Sequence, residues 1–342
     1  MLQLRTFKTL IDLILYFKDE QVGHDYLAQI RWNGNTKCPY CDSNKCYSFK
    51  NGKVYKCGGC KAQFSVRVGT MFEDSKVPLS KWFAAIYLIT SHKKGISSIQ
   101  LGKDVGVTQK TAWFLLHRIR ESLGLSGGSD KLTGTVEADE TFMGGKEKNK
   151  HKSKRTGNTQ GRSVVNKTPV IGVIERNGEF RATVASDTSS KSIRPFIVNN
   201  VAFGTNLKTD EWLGYAGLGG MFKHKRINHG ADEYVHGDTH TNTIEGAWSL
   251  LKRSVYGIYH SVSAKHLQPY VNESVFRYNT RDMNETQRFD FMLTNISSHI
   301  TYKQLIQSHD TDTTAIAAYR ELGTQQDLFS QEDGYNPESV QQ

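Results

Sequence analysis

The chain has 342 residues, 37% of them hydrophobic and 23% charged, which fits a globular protein of two or three domains. Lys and Arg total 44 against 34 Asp and Glu, a formal net charge of +10 that points to a polyanionic partner, nucleic acid ahead of a membrane surface. The most apolar N-terminal run, Leu10 to Phe17, is short and contains Asp12, which excludes a bilayer span; it also lacks a signal peptide's cleavage site. The expected location is therefore cytoplasmic, with the nucleoid if the cell is bacterial.

Residues 1–35 form a helical segment. Leu10, Leu13, Ile14 and Phe17 recur at helical spacing, and a second helix is expected from Gln21 to Ile30. Residues 36–72 follow as a small ribbon. Cys38-x2-Cys41 and Cys57-x2-Cys60, fifteen residues apart, set four thiolates on two tight turns for one tetrahedral Zn²⁺. Four protein ligands leave no open position, so this zinc is structural. Two unrelated pairs or a redox pair are the alternatives. Cys46 remains as a free thiol.

Residues 76–125 read as a helix-turn-helix domain. Ser97 or Ser98 can cap a helix ending at Gly106, and Thr108 can cap the next. In that next helix Ala112, Leu115, Leu116 and Ile119 form the apolar stripe. Gln109, Lys110 and Trp113 are candidate base contacts, and Arg118 and Arg120 candidate phosphate contacts. The alternative is a structural hairpin with a solvated basic face.

Residues 131–300 mix strands and helices, and 301–342 form a polar tail after a last helix near Thr314–Leu322. Strands are expected over Thr135–Asp139, Pro169–Glu175, Phe180–Ser186 and Thr205–Asp210, with helices over Lys191–Asn200 and Thr243–Val255. Asp139 and Asp210 each close a strand. Glu245 sits in the first turn of a helix capped by Asn242 or Thr243, and Lys252 lies seven residues on. Carboxylates are the ligands that hard cations require, and two Mg²⁺ (or Mn²⁺) would clamp the attacking and leaving oxygens of a phosphoryl transfer, with Lys252 near a phosphate. Singly, each acid is more often a turn, cap or helix-dipole residue.

The stretches RWNGNTKCPYC, YKCGGCKAQFSVRVGTMFEDSKVPLSKW, GVTQKTAWFLLHRIR, VEADETFMGGK, LKTDEW and HTNTIEGAWSLLKR resemble the zinc-ribbon insertion-sequence transposases of the ISXO-like group, related to the eukaryotic Merlin elements. The resemblance covers most of residues 30–280. It implies an α/β catalytic core with a ribonuclease H-like mixed sheet flanked by helices, behind a zinc ribbon and a helix-turn-helix domain. It also implies cut-and-paste strand transfer on the terminal inverted repeats, with Asp139, Asp210 and Glu245 as catalytic metal ligands and Lys252 beside them. His240 and Asn242 are reserves that support those ligands. Pairing two DNA ends implies a homodimer or larger assembly.

The segment 146–168 is a basic insertion. Lys146 to Lys167 holds eight Lys or Arg against one Glu. Lys150, Lys152, Lys154 and Arg155, with Arg253 beside Lys252, are further candidate DNA contacts; a solvated insertion is the alternative reading. Gly157 to Ser163 lacks the spacing and the Lys of a P-loop, so no ATP requirement is expected. A regulator with an inert third domain and a nuclease that cuts without joining remain as other functions.

Overall fold

The computed structural model describes residues 6–124, 128, 130–145, 151–154, 167–227 and 240–307. Residues to 300 form one compact unit and 301–342 a second. Of the second, 301–307 are described: Thr301 and Gln304 form a capping box at the short helix α10 (Tyr302–Ile306). The helix expected near Thr314–Leu322 falls outside the described residues.

The first unit opens with α1 (Leu10–Tyr16) and α2 (Glu20–Trp32). Thr9 and Asp12 cap α1 reciprocally, and Asp19 caps α2. Leu13 and Phe17 of the α1 stripe are buried, whereas Ile14 is exposed. A three-stranded antiparallel sheet follows, β1 (Cys46–Ser48), β2 (Val54–Cys57) and β3 (Gln63–Ser65). It is tied to α2 by Arg31, whose guanidinium donates to the carbonyls of Val66 and Val68 at 2.5 and 3.0 Å, and by the Glu20–Arg67 ion pair.

Three helices come next, α3 (Leu79–Ser91), α4 (Ser98–Val105) and α5 (Gln109–Leu123). Ser97 and Thr108 accept from the backbone N–H of Gln100 and Thr111, so each caps the helix it precedes. The predicted α5 stripe of Ala112, Leu115, Leu116 and Ile119 is buried.

Beyond residue 130 lies a five-stranded mixed sheet, β4 (Thr135–Met143), β5 (Thr168–Glu175), β6 (Phe180–Val184), β7 (Asn206–Thr209) and β8 (Lys223–Arg226), in the order β6-β5-β4-β7-β8. The first three strands pair antiparallel, and β7 and β8 run parallel to β4. Helix α6 (Ser190–Asn200) covers one face through Ile193, Phe196 and Ile197, which pack on Val136, Ala138, Ile171 and Val173. The other face carries Met143, Val170 and Ile174, covered by α7 (Asn242–Ser254) and α8 (Leu267–Asn279) through Ile244, Trp248, Leu251, Leu267 and Val271.

Strand β4 runs four residues past the predicted end, so Asp139 lies at its middle and not at its tip. β8, with the sequence KHKR, is an edge strand without an apolar residue, and period-two hydrophobicity cannot reveal such a strand. Helices α8 and α9 (Glu285–Thr294) are additional to the predicted elements, and they cross the boundary drawn near residue 130. Phe276, Phe289, Met292, Leu293 and Ile296 belong to the same apolar core as α1 to α5. Phe289 meets Phe83 edge-on at 5.9 Å, and Thr286 exchanges hydrogen bonds with the Phe7 backbone. The chain after the sheet thus returns to complete the N-terminal core.

Candidate active site and metal centre

The ribbon cysteines converge as their spacing requires. The thiol sulfurs of Cys38, Cys41, Cys57 and Cys60 all lie within 4.8 Å of one another, with Cys38–Cys60 and Cys41–Cys57 each 3.6 Å apart. Tetrahedral Zn–S bonds of about 2.3 Å place sulfurs about 3.8 Å apart, so the residues fit the ion. Each turn ends on a left-handed residue, Asp42 and Lys61. Cys46 stands outside the set, its Sγ 3.4 Å from the Ser43 carbonyl. Beneath the cysteines only Phe64 is fully buried, flanked by Trp32 and Tyr55. So small a core leaves metal binding as the main source of the ribbon's stability.

In the mixed sheet, Glu137, Asp139, Thr141 and Met143 share the β4 face under α7, as alternation dictates. β4 and β7 pair Glu137 with Lys208, and the same register carried two residues on sets Asp139 level with Asp210. On the other side Asp139 pairs with Gly172. A Cβ at Gly172 would lie 2.7 Å from the Trp248 indole, so glycine there admits the ring. The indole Nε1 donates to Asp139 Oδ2 at 3.1 Å. Asp210 Oδ1 accepts from the Trp212 N–H at 3.0 Å in a tight turn after β7.

Glu245 enters from α7, exposed, with its Oε1 accepting from the Thr241 hydroxyl at 2.9 Å. Burial first, then the charges of Glu140, Asp210 and Glu245, push the Asp139 carboxyl up to about 7. Asp210 and Glu245 thus bring their charges to bear on Asp139 from two other parts of the chain. Among the described residues the cysteines are the only group of three or more potential ligands held within 4.8 Å, so the acidic site is wider. Two cations about 4 Å apart spread their ligands more than one tetrahedral ion does, and carboxylate oxygens are the donors hard cations take.

What holds α7 over β4 is Glu137. It is fully buried, accepts from the Thr243 and Ile244 backbone N–H groups at 2.9 and 3.0 Å and from the Thr243 hydroxyl at 2.9 Å, and pairs with Arg176 at 2.7 Å. The cap expected from Asn242 or Thr243 is thus supplied from another element, while Asn242 is exposed. His240 lies on this pair, its Nδ1 3.0 Å from the Arg176 guanidinium. Glu137→Gln should cost about 2 kcal/mol by urea unfolding and loosen α7, because a charged acceptor at a helix N-terminus is lost. Unchanged stability would show that Glu137 does not fasten the helix. On the opposite face the buried Tyr215 hydroxyl donates to Glu140 at 2.7 Å. Alternation alone placed Glu137 beside Asp139; nothing in the sequence marked Arg176, Tyr215 or the Trp248 indole for these contacts.

Two predicted phosphate contacts are corrected. Arg118 is buried, donating to the carbonyls of Met71, Glu73 and Ile300. Arg120 is buried between the Tyr259 and Tyr270 rings and paired with Glu273 at 2.6 Å. Arg120 is turned inward because α8 packs against α5, and Arg118 because the Met71–Glu73 segment and the Ile300 backbone cover it, so positions that read as solvated are interior ones. Trp113 is half-buried against His117 and His266. Gln109 and Lys110 stay exposed at the start of α5. Lys252 is half-buried and Arg253 exposed on α7, and Lys152 is exposed on a short 3₁₀ turn that also includes Lys154. Lys150 and Arg155 lie outside the described residues. No described helix is long and apolar enough to cross a membrane.

Comparison with known proteins finds matches over both regions of the chain. A family model described as ISXO2-like transposase domain matches residues 131–279, and one described as transposase zinc-ribbon domain matches residues 18–63. The chain is 31% identical over 267 residues to an uncharacterized protein in transposable element ISH50 of Halobacterium salinarum, covering 75% of this chain and 89% of that relative.

Proposed function

Since the chain belongs to the zinc-ribbon ISXO2-like transposase family, we propose that it cuts DNA at the terminal inverted repeats of its element and joins the freed ends to target DNA. The observation that carries this reading is the placement of Asp139 on β4, level with Asp210 after β7, beneath the helix that holds Trp248 against Asp139 and carries Glu245. Strand order β6-β5-β4-β7-β8, three strands antiparallel and two parallel with helices on both faces, supports a ribonuclease H-like core. Two divalent cations held by the three acids would activate the attacking oxygen and neutralise charge on the leaving one.

The chain's own part is placement. Trp248 fixes one Asp139 oxygen, Glu137 anchors the helix that brings Glu245, and Lys252 faces a phosphate. In the first step water attacks the phosphorus at the element's end, the P–O3′ bond breaks, and a 3′-hydroxyl and a 5′-phosphate remain. In the second, that 3′-hydroxyl attacks a target phosphodiester, forming one P–O bond as another breaks. Bond exchange of this kind needs no ATP. Gln109 and Lys110 at the exposed start of α5 support a helix-turn-helix reader of bases. The two ends are held together by at least two copies of the chain.

The test is an assay of the purified protein with Mg²⁺ on DNA carrying the element's ends, some supplied pre-cut with free 3′-hydroxyls. Joined products are expected. Withholding Mg²⁺ should stop chemistry but not binding, and stripping zinc should weaken recognition of the ends. Cleavage without joining would make the chain a nuclease; binding without either would make it a regulator.

A further inference from the structure

The loop between α3 and α4, residues 92–97, contains Lys93, Lys94 and Gly95, and Gly95 lies against Tyr259 just beyond the end of α7. Gly95 has a φ of 92°, and a Cβ there would lie 1.9 Å from the Tyr259 hydroxyl, so glycine alone lets the loop approach. The same hydroxyl donates to Glu273 at 2.6 Å, and Glu273 also binds Arg120 of α5. Arg277 completes the joint: it pairs with Glu273 and donates to the carbonyls of Ile89 and His92. Tyr259 belongs to a π turn, Val255–Tyr259, that ends α7. A buried ionic joint therefore fixes a loop of the N-terminal helices against the helix that carries Glu245 and Lys252.

The consequence is a basic groove shared by the two modules. Lys94, Lys252, Arg253, Tyr256, Gly257 and Ile258 line a groove of about 500 Å³. Lys94, Arg253 and Tyr256 are exposed. Among the described residues no carboxylate pairs with any of the three cations. Glu245 and Lys252 are seven residues apart on α7, about 10 Å along its axis and close to the rise of three base pairs.

We propose that this groove holds the sugar–phosphate backbone of the DNA strand being cut, with Lys94 on a phosphate within about three nucleotides of the scissile bond. Three cations lining one groove, two of them on the helix that also carries Glu245, suit a polymeric anion that runs toward that carboxylate. The inference rests on the reading of the chain as a DNA-cleaving enzyme. It makes the N-terminal module part of the site that holds the strand for chemistry, in addition to any role in recognising sequence.

The test compares Lys94→Ala with Lys93→Ala, an exposed neighbour outside the groove. For DNA carrying an element end, the dependence of log binding constant on log salt should flatten by about 1 for K94A and stay unchanged for K93A. In a second measurement, K94C is offered DNA carrying a mixed-disulfide tether on successive phosphates, so that the cysteine thiolate attacks the tether sulfur and expels its small thiol. Disulfides should concentrate within three nucleotides of the cleavage site. Equal effects of K93A and K94A, or crosslinks spread evenly along the DNA, would overturn the groove assignment while wild-type cleavage continued. Absence of wild-type cleavage would instead overturn the enzyme reading on which it rests.

Discussion

Asp139→Asn is expected to lower DNA cleavage by on the order of 10³-fold while leaving the binding of element ends intact. The asparagine keeps the shape of the side chain, and its oxygen can still accept from the Trp248 indole, so the strand and α7 stay in place. What disappears is the negative charge at the centre of the acidic cluster, and with it a ligand for cations. The same change relieves crowding. The wild-type carboxyl has a folded pKa of about 7 against 3.8 when free, a raised value, so the stability it contributes is present below about 3.8 and lost as pH rises through 7. Without divalent cations at pH 8, D139N should therefore melt above the wild type. Undiminished cleavage would reject Asp139 as a catalytic residue, and a lower melting temperature would mean the lost activity reflects misfolding.

Glu273→Ala should cost about 3–5 kcal/mol of stability, measured by urea unfolding at pH 7. Glu273 is buried at the meeting of α5, α8 and the α7 π turn, and its removal leaves Arg120 with no counter-charge among aromatic rings. Burial pushes its carboxyl up, but the guanidinia of Arg277 and Arg120 overcome this and hold it at about 2. A depressed folded value means the contribution is present above the free value of 4.5 and is lost as pH falls toward 2. The gap between wild type and variant should accordingly narrow between pH 4.5 and 2. A gap under 1 kcal/mol at pH 7 would show that the ion cluster is not what fastens the helices to the sheet domain.

The cluster also shows where sequence reading reaches its limit. Arg118 and Arg120 read as phosphate contacts because they lie on α5 outside its apolar stripe of Ala112, Leu115, Leu116 and Ile119. Their environment is set by partners distant in the chain: Glu273 lies 153 residues from Arg120, and the Ile300 carbonyl 182 residues from Arg118. Periodicity reports which side chains share a face, and it carries no information on what packs against that face. The predicted cap of α7 failed for the same reason. Local spacing nominated Asn242 or Thr243, while Glu137, more than a hundred residues earlier, takes the N–H groups of the first turn.

Some of the protein was legible from the residues alone because its causes are local. Two C-x2-C turns can present four thiolates to one ion wherever the chain brings them together, and here the sulfurs converge. Ser97 and Thr108 cap helices because a hydroxyl reaches a backbone N–H three residues on. Strands are expected to lead into Asp139 and Asp210, and β4 and β7 stand there. Tertiary structure alone decided that β4 and β7 lie side by side, which sets Asp139 level with Asp210, and that Gly172 opens space for the Trp248 indole. It also seated Lys94 near Lys252. These contacts depend on which strands neighbour one another and how closely helices approach, choices made by burial of the whole apolar surface and not by any local stretch of residues.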